Sequence, residues 1–235
     1  MPHPKKDAIR VDQLLSRYGY CSRREAHAWA RAGRITLDGV PLKDTSERVD
    51  AKSVLVDGAS VEAVDGLLAM FHKPLAVVCS RDGREGPSVF DLLPPQWSQR
   101  NPPVASVGRL DKDTTGLLLI TDAGEWVHRW TSPKHNHEKT YEVTFEGEPK
   151  PGMVEWFASG ALRLEGEGRC CLPAKLVFEG PGRALLHLVE GRFHQVRRMF
   201  AAAGLTVIRL HRPRFGPYEL GDLAEGSWRL LPMPE

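Results

Sequence analysis

The sequence predicts an α+β protein in which a mixed, largely antiparallel sheet forms the main domain and a small α/β module precedes it. From residue 67 onward, short apolar runs typical of strands outnumber helical segments, and the two follow no regular βαβ order. Before residue 60, two short helical segments are followed by short strands. The chain has 235 residues, of which 41% are hydrophobic, and this is enough for a small and a medium domain.

The N-terminal module begins with a helix predicted over residues 11–18, which Gly19 ends as a C-terminal cap. The tetrapeptide SRRE at residues 22–25 is typical of a capping box. It predicts a second helix that buries Ala26, Trp29 and Ala30 and ends at Gly33. Asp-Gly dipeptides at 38–39 and 57–58 lie between short apolar runs and predict tight hairpin turns.

The main domain follows a short polar stretch. Its predicted strands are 67–72, 104–107, 117–121, 141–145, 175–178 and 184–189. Its predicted helices are 125–130, 152–159 and 194–203. We therefore divide the chain into a module at residues 8–60, a linker at 61–66 and a main domain at 67–235.

Positive charge is concentrated in two places, although the net charge is only +2. Residues 1–50 hold ten Lys or Arg against seven Asp or Glu, and residues 191–218 hold six Arg and no acid. In the module, four arginines lie on or just beyond the second helix, mostly away from its apolar stripe: Arg23, Arg24, Arg31 and Arg34. Such a face can bind phosphates, but charge alone does not distinguish it from a solvated basic face.

The composition favours a cytoplasmic protein. No apolar run approaches the roughly 20 residues of a membrane-spanning helix, and the start MPHPKKDAIR lacks the apolar stretch of a signal peptide. The four cysteines, Cys21, Cys79, Cys170 and Cys171, include no C-x-x-C pair. We therefore expect reduced thiols, and neither a zinc ribbon nor a redox motif.

A loop carboxylate is the strongest candidate for chemistry. In the stretch VGRLDKDTTGLLLITDAGEWVHRWTSP, residues 107–133, a strand ends at Val107, Gly108 turns the backbone and Asp111 follows. A short loop between strands holds a carboxylate firmly and exposes it to a cleft. Many loops carry Asp only for turn chemistry, and this is the role we expect for Asp113.

Four motifs resemble, in order, those of the pseudouridine synthases that modify ribosomal RNA. They are FHKP at 71–74, GRLDKDTTGLL at 108–118, EKTY at 138–141 and EGRFHQVRRM at 190–199. In addition, residues 10–48, centred on CSRREAHAWARAGRITLDG, resemble the alpha-L RNA-binding module of a small-subunit ribosomal protein. The resemblance covers nearly the whole chain. It implies the pseudouridine synthase fold for the main domain and ribosomal RNA as the partner.

The resemblance also implies roles for individual residues. Asp111 is expected to be the catalytic carboxylate, Tyr141 to line the uracil pocket, and Arg197 to pair with Asp111. The residues expected to contact RNA are Arg23, Arg24, Arg31, Arg34, Arg109, Lys139, Arg192, His194, Gln195 and Arg198. The segment TSPKHNHEKTYEV and the Asp-Thr-Thr-Gly loop are most similar to enzymes for small-subunit (16S) RNA. An enzyme for large-subunit (23S) RNA is the alternative within the family.

One position departs from the family pattern. The family has Lys-Pro-x-Gly where this chain has Lys73-Pro74-Leu75-Ala76. Glycine adopts positive φ at little cost, whereas alanine does not. The sequence alone therefore does not predict the shape of the turn at Ala76.

The activity that the resemblance implies is the isomerisation of a specific uridine in ribosomal RNA to pseudouridine. No metal or cofactor is expected, because this isomerisation needs neither. The D-x-D at 111–113 would suit a metal-dependent sugar transferase, but no Gly-rich nucleotide-binding turn accompanies it. His135 and His137 lack further ligands at metal-site spacing. A non-catalytic ribosomal RNA-binding assembly factor is the other alternative, and the trio Asp111, Tyr141 and Arg197 argues against it. We expect a monomer with no membrane association and no obligate protein partner.

Overall fold

The computed structural model describes residues 8–234, so residues 1–7 and Glu235, the end of the predicted main domain, lie outside it. The N-terminal module has two helices, α1 (Val11–Arg17) and α2 (Arg23–Arg31). Its strands are β1 (Ile9–Arg10), β2 (Ile35–Leu37), β3 (Val40–Pro41), β4 (Arg48–Val49), β5 (Val54–Val56) and β6 (Ala59–Ser60).

Local signals in the module form as predicted. The Ser22 hydroxyl accepts a hydrogen bond from the Glu25 amide at 3.3 Å, and the Glu25 carboxylate accepts one from the Ser22 amide at 2.8 Å. β2 pairs antiparallel with β3 and β5, and β5 with β6, so both Asp-Gly dipeptides form hairpin turns. Ala26 and Ala30 are buried, whereas Trp29 is only partly buried.

The main domain is built on one nine-stranded sheet. Its strands are β7 (Leu68–Lys73), β8 (Ala105–Ser106), β9 (Thr114–Thr121), β10 (Lys139–Glu146), β11 (Lys175–Phe178), β12 (Arg183–Leu188), β13 (Thr206–Phe215), β14 (Tyr218–Glu219) and β15 (Trp228–Leu230). The order is β11-β12-β10-β13-β9-β7-β15, with β14 on β13 and β8 on β9. All of these pairs are antiparallel except β9 with β13, so the predicted fold class is confirmed.

The central strand β13 is absent from the sequence prediction. Its sequence TVIRLHRPRF carries four charged or imidazole side chains and a proline, and such a segment is not typical of a buried strand. It pairs antiparallel with β10 and parallel with β9, where Arg212 lies opposite Gly116. A side chain at Gly116 would place its Cβ 2.3 Å from the Arg212 carbonyl oxygen. Glycine is therefore required for the two strands to approach.

Helices cover both faces of the sheet. They are α3 (Pro95–Gln99), α4 (Gly124–Thr131), α5 (Met153–Ala158) and α6 (Gln195–Ala202). Single 3₁₀ turns lie at Ala51–Ser53, Gly83–Glu85, Val89–Leu92 and Pro133–His135. Phe157 of α5 and Phe200 of α6 belong to the large core on one face, and Trp130 of α4 belongs to a smaller core on the other.

The module contacts the main domain at the junction of its two helices. The Asn101 amide donates to the Arg17 carbonyl at 2.8 Å, and the Gln96 side chain donates to the Tyr18 carbonyl at 3.2 Å. A Cβ at Gly19 would lie 2.3 Å from the Gln96 carbonyl oxygen. Gly19 therefore both caps α1 and permits this contact. No helix within residues 8–234 has the length and apolar character needed to cross a membrane.

Candidate active site

A cavity of about 670 Å³ opens on one face of the main sheet where β9, β10 and β13 meet. Volumes of roughly 300–1,000 Å³ are typical of small-molecule sites. The loop before β9, the start of β10 and the loop before α6 supply seven of the predicted residues to its lining: Arg109, Asp111, Lys139, Tyr141, Arg192, His194 and Gln195. Three of the four motifs therefore meet at one cavity.

Asp111 lies on the loop that leads into β9. Its carbonyl oxygen accepts a hydrogen bond from the Thr114 amide at 3.1 Å, which closes the loop. Its side chain is 30% exposed, and its Oδ1 atom lies 3.5 Å from His194 Nε2. The carboxylate is thus held at the cavity wall while it stays accessible to a bound molecule.

The buried ammonium group of Lys73 stabilises this loop through hydrogen bonds. Lys73 is fully buried, and its Nζ donates to the carbonyl oxygens of Pro74 and Thr114, each at 2.9 Å. Burial lowers the pKa of Lys73, and nearby acidic groups including Asp111 oppose that shift. The first motif therefore supports the loop that carries Asp111 without lining the cavity.

Tyr141 and Arg212 form the floor of the cavity. The Arg212 guanidinium is 2% exposed and donates twice to the Leu117 carbonyl, from Nε at 2.9 Å and Nη2 at 2.7 Å. Its Nη1 lies 3.4 Å from the Tyr141 hydroxyl. The planar donors of arginine suit such a fixed arrangement. Arg212 therefore orients the phenol towards the cavity.

A second cation lies at the floor. Lys139 is buried, and its Nζ donates to the carbonyl oxygens of His137 at 3.0 Å and Val189 at 3.3 Å. Burial, together with the charge of Arg212, lowers the pKa of Lys139 to about 8, and Glu190 opposes the shift. The two cations make the floor electropositive.

The predicted pairing of Arg197 with Asp111 is wrong in this structure. Arg197 Nη2 lies 2.8 Å from the carboxylate of Asp113 and 3.1 Å from its carbonyl oxygen, and Nη1 donates to Val207. Arg197 is also outside the cavity lining. Asp113 is therefore an ion-pair partner as well as a loop residue. Arg197 lies on the face of α6 that points to the end of the Asp111 loop. There it meets Asp113, two residues after the carboxylate that it was expected to contact.

The loop before α6 is held by residues that we expected to contact RNA. The Arg192 guanidinium binds Glu190 and the carbonyl oxygens of residues 169 and 170. The buried Gln195 amide binds Glu190 and accepts from the Arg192 amide, and Arg198 binds Glu167, residue 165 and the Phe193 carbonyl. These contacts occupy the polar groups of Gln195 within the protein. We therefore correct its expected role from RNA contact to loop support.

Arg109 differs from these residues. It is exposed at the cavity wall, and within residues 8–234 no hydrogen bond or ion pair engages its guanidinium. An unpaired guanidinium beside an accessible carboxylate is suited to a phosphate of a bound strand.

The four arginines of the module divide into two kinds. Arg23 lies 3.4 Å from Asp12, and Arg34 binds Asp57 at 2.6 Å while stacking 3.8 Å from the Trp29 ring centroid. In the described part of the chain, Arg24 and Arg31 have no such partner. They are exposed and lie seven residues apart, hence on one face of α2, opposite the buried alanines.

The turn at Ala76 keeps the conformation expected of glycine. Ala76 has φ of 63°, and its amide donates to the Lys112 carbonyl at 2.9 Å. The first motif thus still contacts the Asp111 loop, although the Cβ of Ala76 makes this left-handed conformation costly.

The structure shows the environment of the alternative metal candidates. Within residues 8–234, no three His, Cys, Asp or Glu side chains are grouped as metal ligands. Asp113 of the D-x-D is held by Arg197, and all four cysteines are free thiols.

Arg212 is a site residue that no motif in the sequence indicates. Its only signal was the pattern Leu210-x-Arg212, which places both side chains on one face once β13 is identified as a strand. Without that strand, Arg212 is only one of the six arginines of residues 191–218.

Comparisons with known proteins identify the family. A family described as RNA pseudouridylate synthase matches residues 68–170, and an S4 domain matches residues 9–61. Three similar relatives are named ribosomal small subunit pseudouridine synthase A. That of Vibrio parahaemolyticus is 41% identical, covering 97% of each chain. Those of Yersinia pestis and Escherichia coli are 40% and 39% identical, covering 97% and 95% of this chain and 96% of each relative.

A solved structure titled as a pseudouridylate synthase covers 95% of this chain and 96% of its own, at 35% identity and a TM-score of 0.66. The sequence relatives and this structure agree over nearly the whole chain. The chain therefore belongs to the RNA pseudouridylate synthase family and is a pseudouridine synthase with an N-terminal S4 domain.

Proposed function

We propose that this protein isomerises a uridine of 16S ribosomal RNA to pseudouridine, with Asp111 as the catalytic carboxylate. The observation that carries the proposal is the cavity in which accessible Asp111 faces the buried pair Tyr141 and Arg212. The relatives named as small-subunit synthases support 16S RNA as the substrate. A 23S substrate is the alternative.

The chemistry requires a carboxylate and no net change of atoms. The bond between the sugar C1′ and the uracil N1 breaks, the base rotates, and a new bond forms between C1′ and C5. The proton on C5 is lost and N1 gains a proton. A carboxylate can attack C1′, attack the base, or remove a sugar proton, and each route needs ionised Asp111.

The surrounding residues suit this chemistry. Tyr141 offers a ring face to the detached uracil and a phenol for proton transfer, and Arg212 is its positioning residue. The electropositive floor favours an anionic uracil while the bond to the sugar is broken. Because the cavity is recessed below the protein surface, the target nucleotide must leave the stack of RNA bases to enter it.

The remaining residues are assigned to RNA docking. We propose that residues 8–60 form an RNA-binding module, that 61–66 link it to the catalytic domain at 67–235, and that Arg24 and Arg31 contact phosphates. Arg109 is assigned to a phosphate beside the target uridine. His194 is assigned to hold the carboxylate and adjacent RNA.

The oligomeric state and the cellular location belong to the same proposal. We propose that the protein acts as a monomer on an assembling small subunit. A ribosomal RNA substrate and four free thiols support a cytoplasmic location.

Mapping pseudouridine in ribosomal RNA tests the proposal. In cells lacking this protein, the wild type restores a pseudouridine in 16S RNA, and Asp111→Asn restores none while it still binds RNA. Asp113→Asn is the matched control and retains most of the activity, because its carboxylate contacts Arg197 rather than the cavity.

Four results would count against the proposal. No new site with wild type would favour an assembly factor, and a site only in 23S RNA would favour the alternative substrate. An Asn variant as fast as wild type would remove Asp111 from the mechanism. Loss of activity with a chelator would favour a metal-dependent reaction.

A further inference from the structure

The most exposed large hydrophobic side chain in the described chain stands at the mouth of the catalytic cavity. Phe193 lines the cavity and is 75% exposed. It contributes nothing to either core of the main domain. A single exposed hydrophobic residue is unremarkable by itself, so its orientation and surroundings decide whether it has a role.

The Phe193 ring is held in a fixed orientation. It stacks on the His194 ring with centroids 3.9 Å apart and planes 16° apart. His194 has φ of 48°, a left-handed conformation that turns both side chains to the same side of the loop. The Phe193 carbonyl is bound by Arg198, and the preceding Arg192 by Glu190. One ring face therefore covers His194, and the other is presented to solvent on a rigid loop.

The stacked pair is tied to the catalytic carboxylate. His194 Nε2 lies 3.5 Å from Asp111 Oδ1. The His194 side chain therefore lies between the Phe193 ring and the carboxylate of Asp111. The target uracil must lie deeper, against Tyr141. A base one nucleotide away along the strand would reach the rim, where Arg109 presents an unpaired guanidinium for the phosphate.

We propose that the free face of Phe193 stacks against the nucleobase next to the target uridine and so holds the substrate strand after the uridine has turned into the cavity. Aromatic rings bind single-stranded bases in this way with little sequence preference, because every base has a π-face. The stack continues through His194, which stays in place beside Asp111. The inference rests on the proposed RNA substrate and deepens it to a specific subsite.

Fluorescence of a labelled substrate tests the proposal. The probe is a ribosomal RNA fragment containing the modified uridine, with 2-aminopurine replacing its 5′ neighbour in one version and its 3′ neighbour in another. Wild-type protein should quench one of the two versions, and Phe193→Ala should quench neither. Phe193→Ala should bind the unlabelled fragment about tenfold more weakly.

Two further variants distinguish stacking from bulk. Phe193→Trp should restore affinity to within twofold, and Phe193→Leu should not. Ile208→Ala, at an exposed position of β13 outside the cavity lining, should bind as wild type does.

The proposal is overturned if Phe193→Ala binds as tightly as wild type, or if Leu restores binding as well as Trp. It is also overturned if the rate falls while affinity is unchanged, because Phe193 would then serve only to support His194. Binding and quenching are measured independently of conversion. Wild type that binds and quenches without forming pseudouridine would refute the proposed function and leave the stacking site standing.

Discussion

Arginines in the module and arginines around the cavity share a residue type but differ in what surrounds them. In α2, Arg24 and Arg31 are exposed and, in the part of the chain that is described, unpaired. Around the cavity, Arg192, Arg197 and Arg212 bind carboxylates or backbone carbonyl oxygens. The run 191–218, six arginines without an acid, is thus largely a set of internal braces whose partners come from distant segments.

Local charge density therefore does not identify a nucleic-acid surface. An exposed arginine keeps its donors for phosphates, and its contribution to binding depends on salt. A buried arginine uses its donors on the protein and acts on the site through geometry. Partners and exposure therefore separate the two uses, and experiments on each group should give different signatures.

The largest expected effect concerns the buried cation Lys139. Its pKa is about 8 when folded and near 10.5 in the unfolded chain. Between these pH values the unfolded state binds more protons, so the contribution of Lys139 to stability rises as pH increases. Below pH 8 the full cost of burying the charge is present. The gap in pKa corresponds to about 3 kcal/mol.

Urea denaturation from pH 7 to 10 measures this effect. The free energy of unfolding of wild type minus that of Lys139→Met should increase with pH by up to about 3 kcal/mol. Lys175→Met, at an exposed position of β11, should show no such trend. A flat difference for Lys139→Met would mean that its ammonium is solvated, and the contrast between buried and exposed cations would weaken.

A smaller effect is expected from Arg212. Arg212→Met should lower the single-turnover rate about 100-fold, or about 2.7 kcal/mol, because Tyr141 loses its positioning donor. Arg212→Lys keeps the charge without the planar donors and should recover only part of the rate. Arg24→Met should leave the rate at saturating RNA within twofold of wild type. If both methionine variants lose the same activity, the distinction between bracing and docking arginines does not hold.

The smallest effect belongs to the docking arginines. The double variant Arg24→Ala and Arg31→Ala should bind ribosomal RNA about tenfold more weakly at moderate salt, with the rate at saturation unchanged. The slope of log affinity against log salt should fall by about 1.5, as expected when two phosphate contacts are lost. An unchanged slope in a salt titration would show that this face of α2 does not meet RNA.

Much of the architecture could be predicted because its signals are local. The capping box at Ser22 and Glu25, the Asp-Gly turns and most strands depend on neighbouring residues. The cavity also followed from motifs, which brought Asp111, Tyr141 and His194 together. Strand β13 could not be predicted, because its polar side chains become compatible with a strand only beside β9 and β10.

The predicted pairing of Arg197 with Asp111 was wrong for a related reason. Motif order indicates that α6 meets the Asp111 loop, and in the structure Arg197 of α6 does contact that loop. Whether the guanidinium reaches Asp111 or Asp113 depends on the register of that contact, and two residues of loop separate the two outcomes. Sequence spacing within each segment carries no information on the register between segments.

The position of β13 also sets the order in which a newly made chain acquires activity. Arg212 binds the carbonyl of Leu117, 95 residues earlier in the chain. The ribosome therefore synthesises the Asp111 loop long before the strand that completes the cavity floor beside it. Contacts of such long range are late and slow to form in folding. The enzyme should remain inert during most of its own translation, and become competent only after the last long strand inserts between two that are already made.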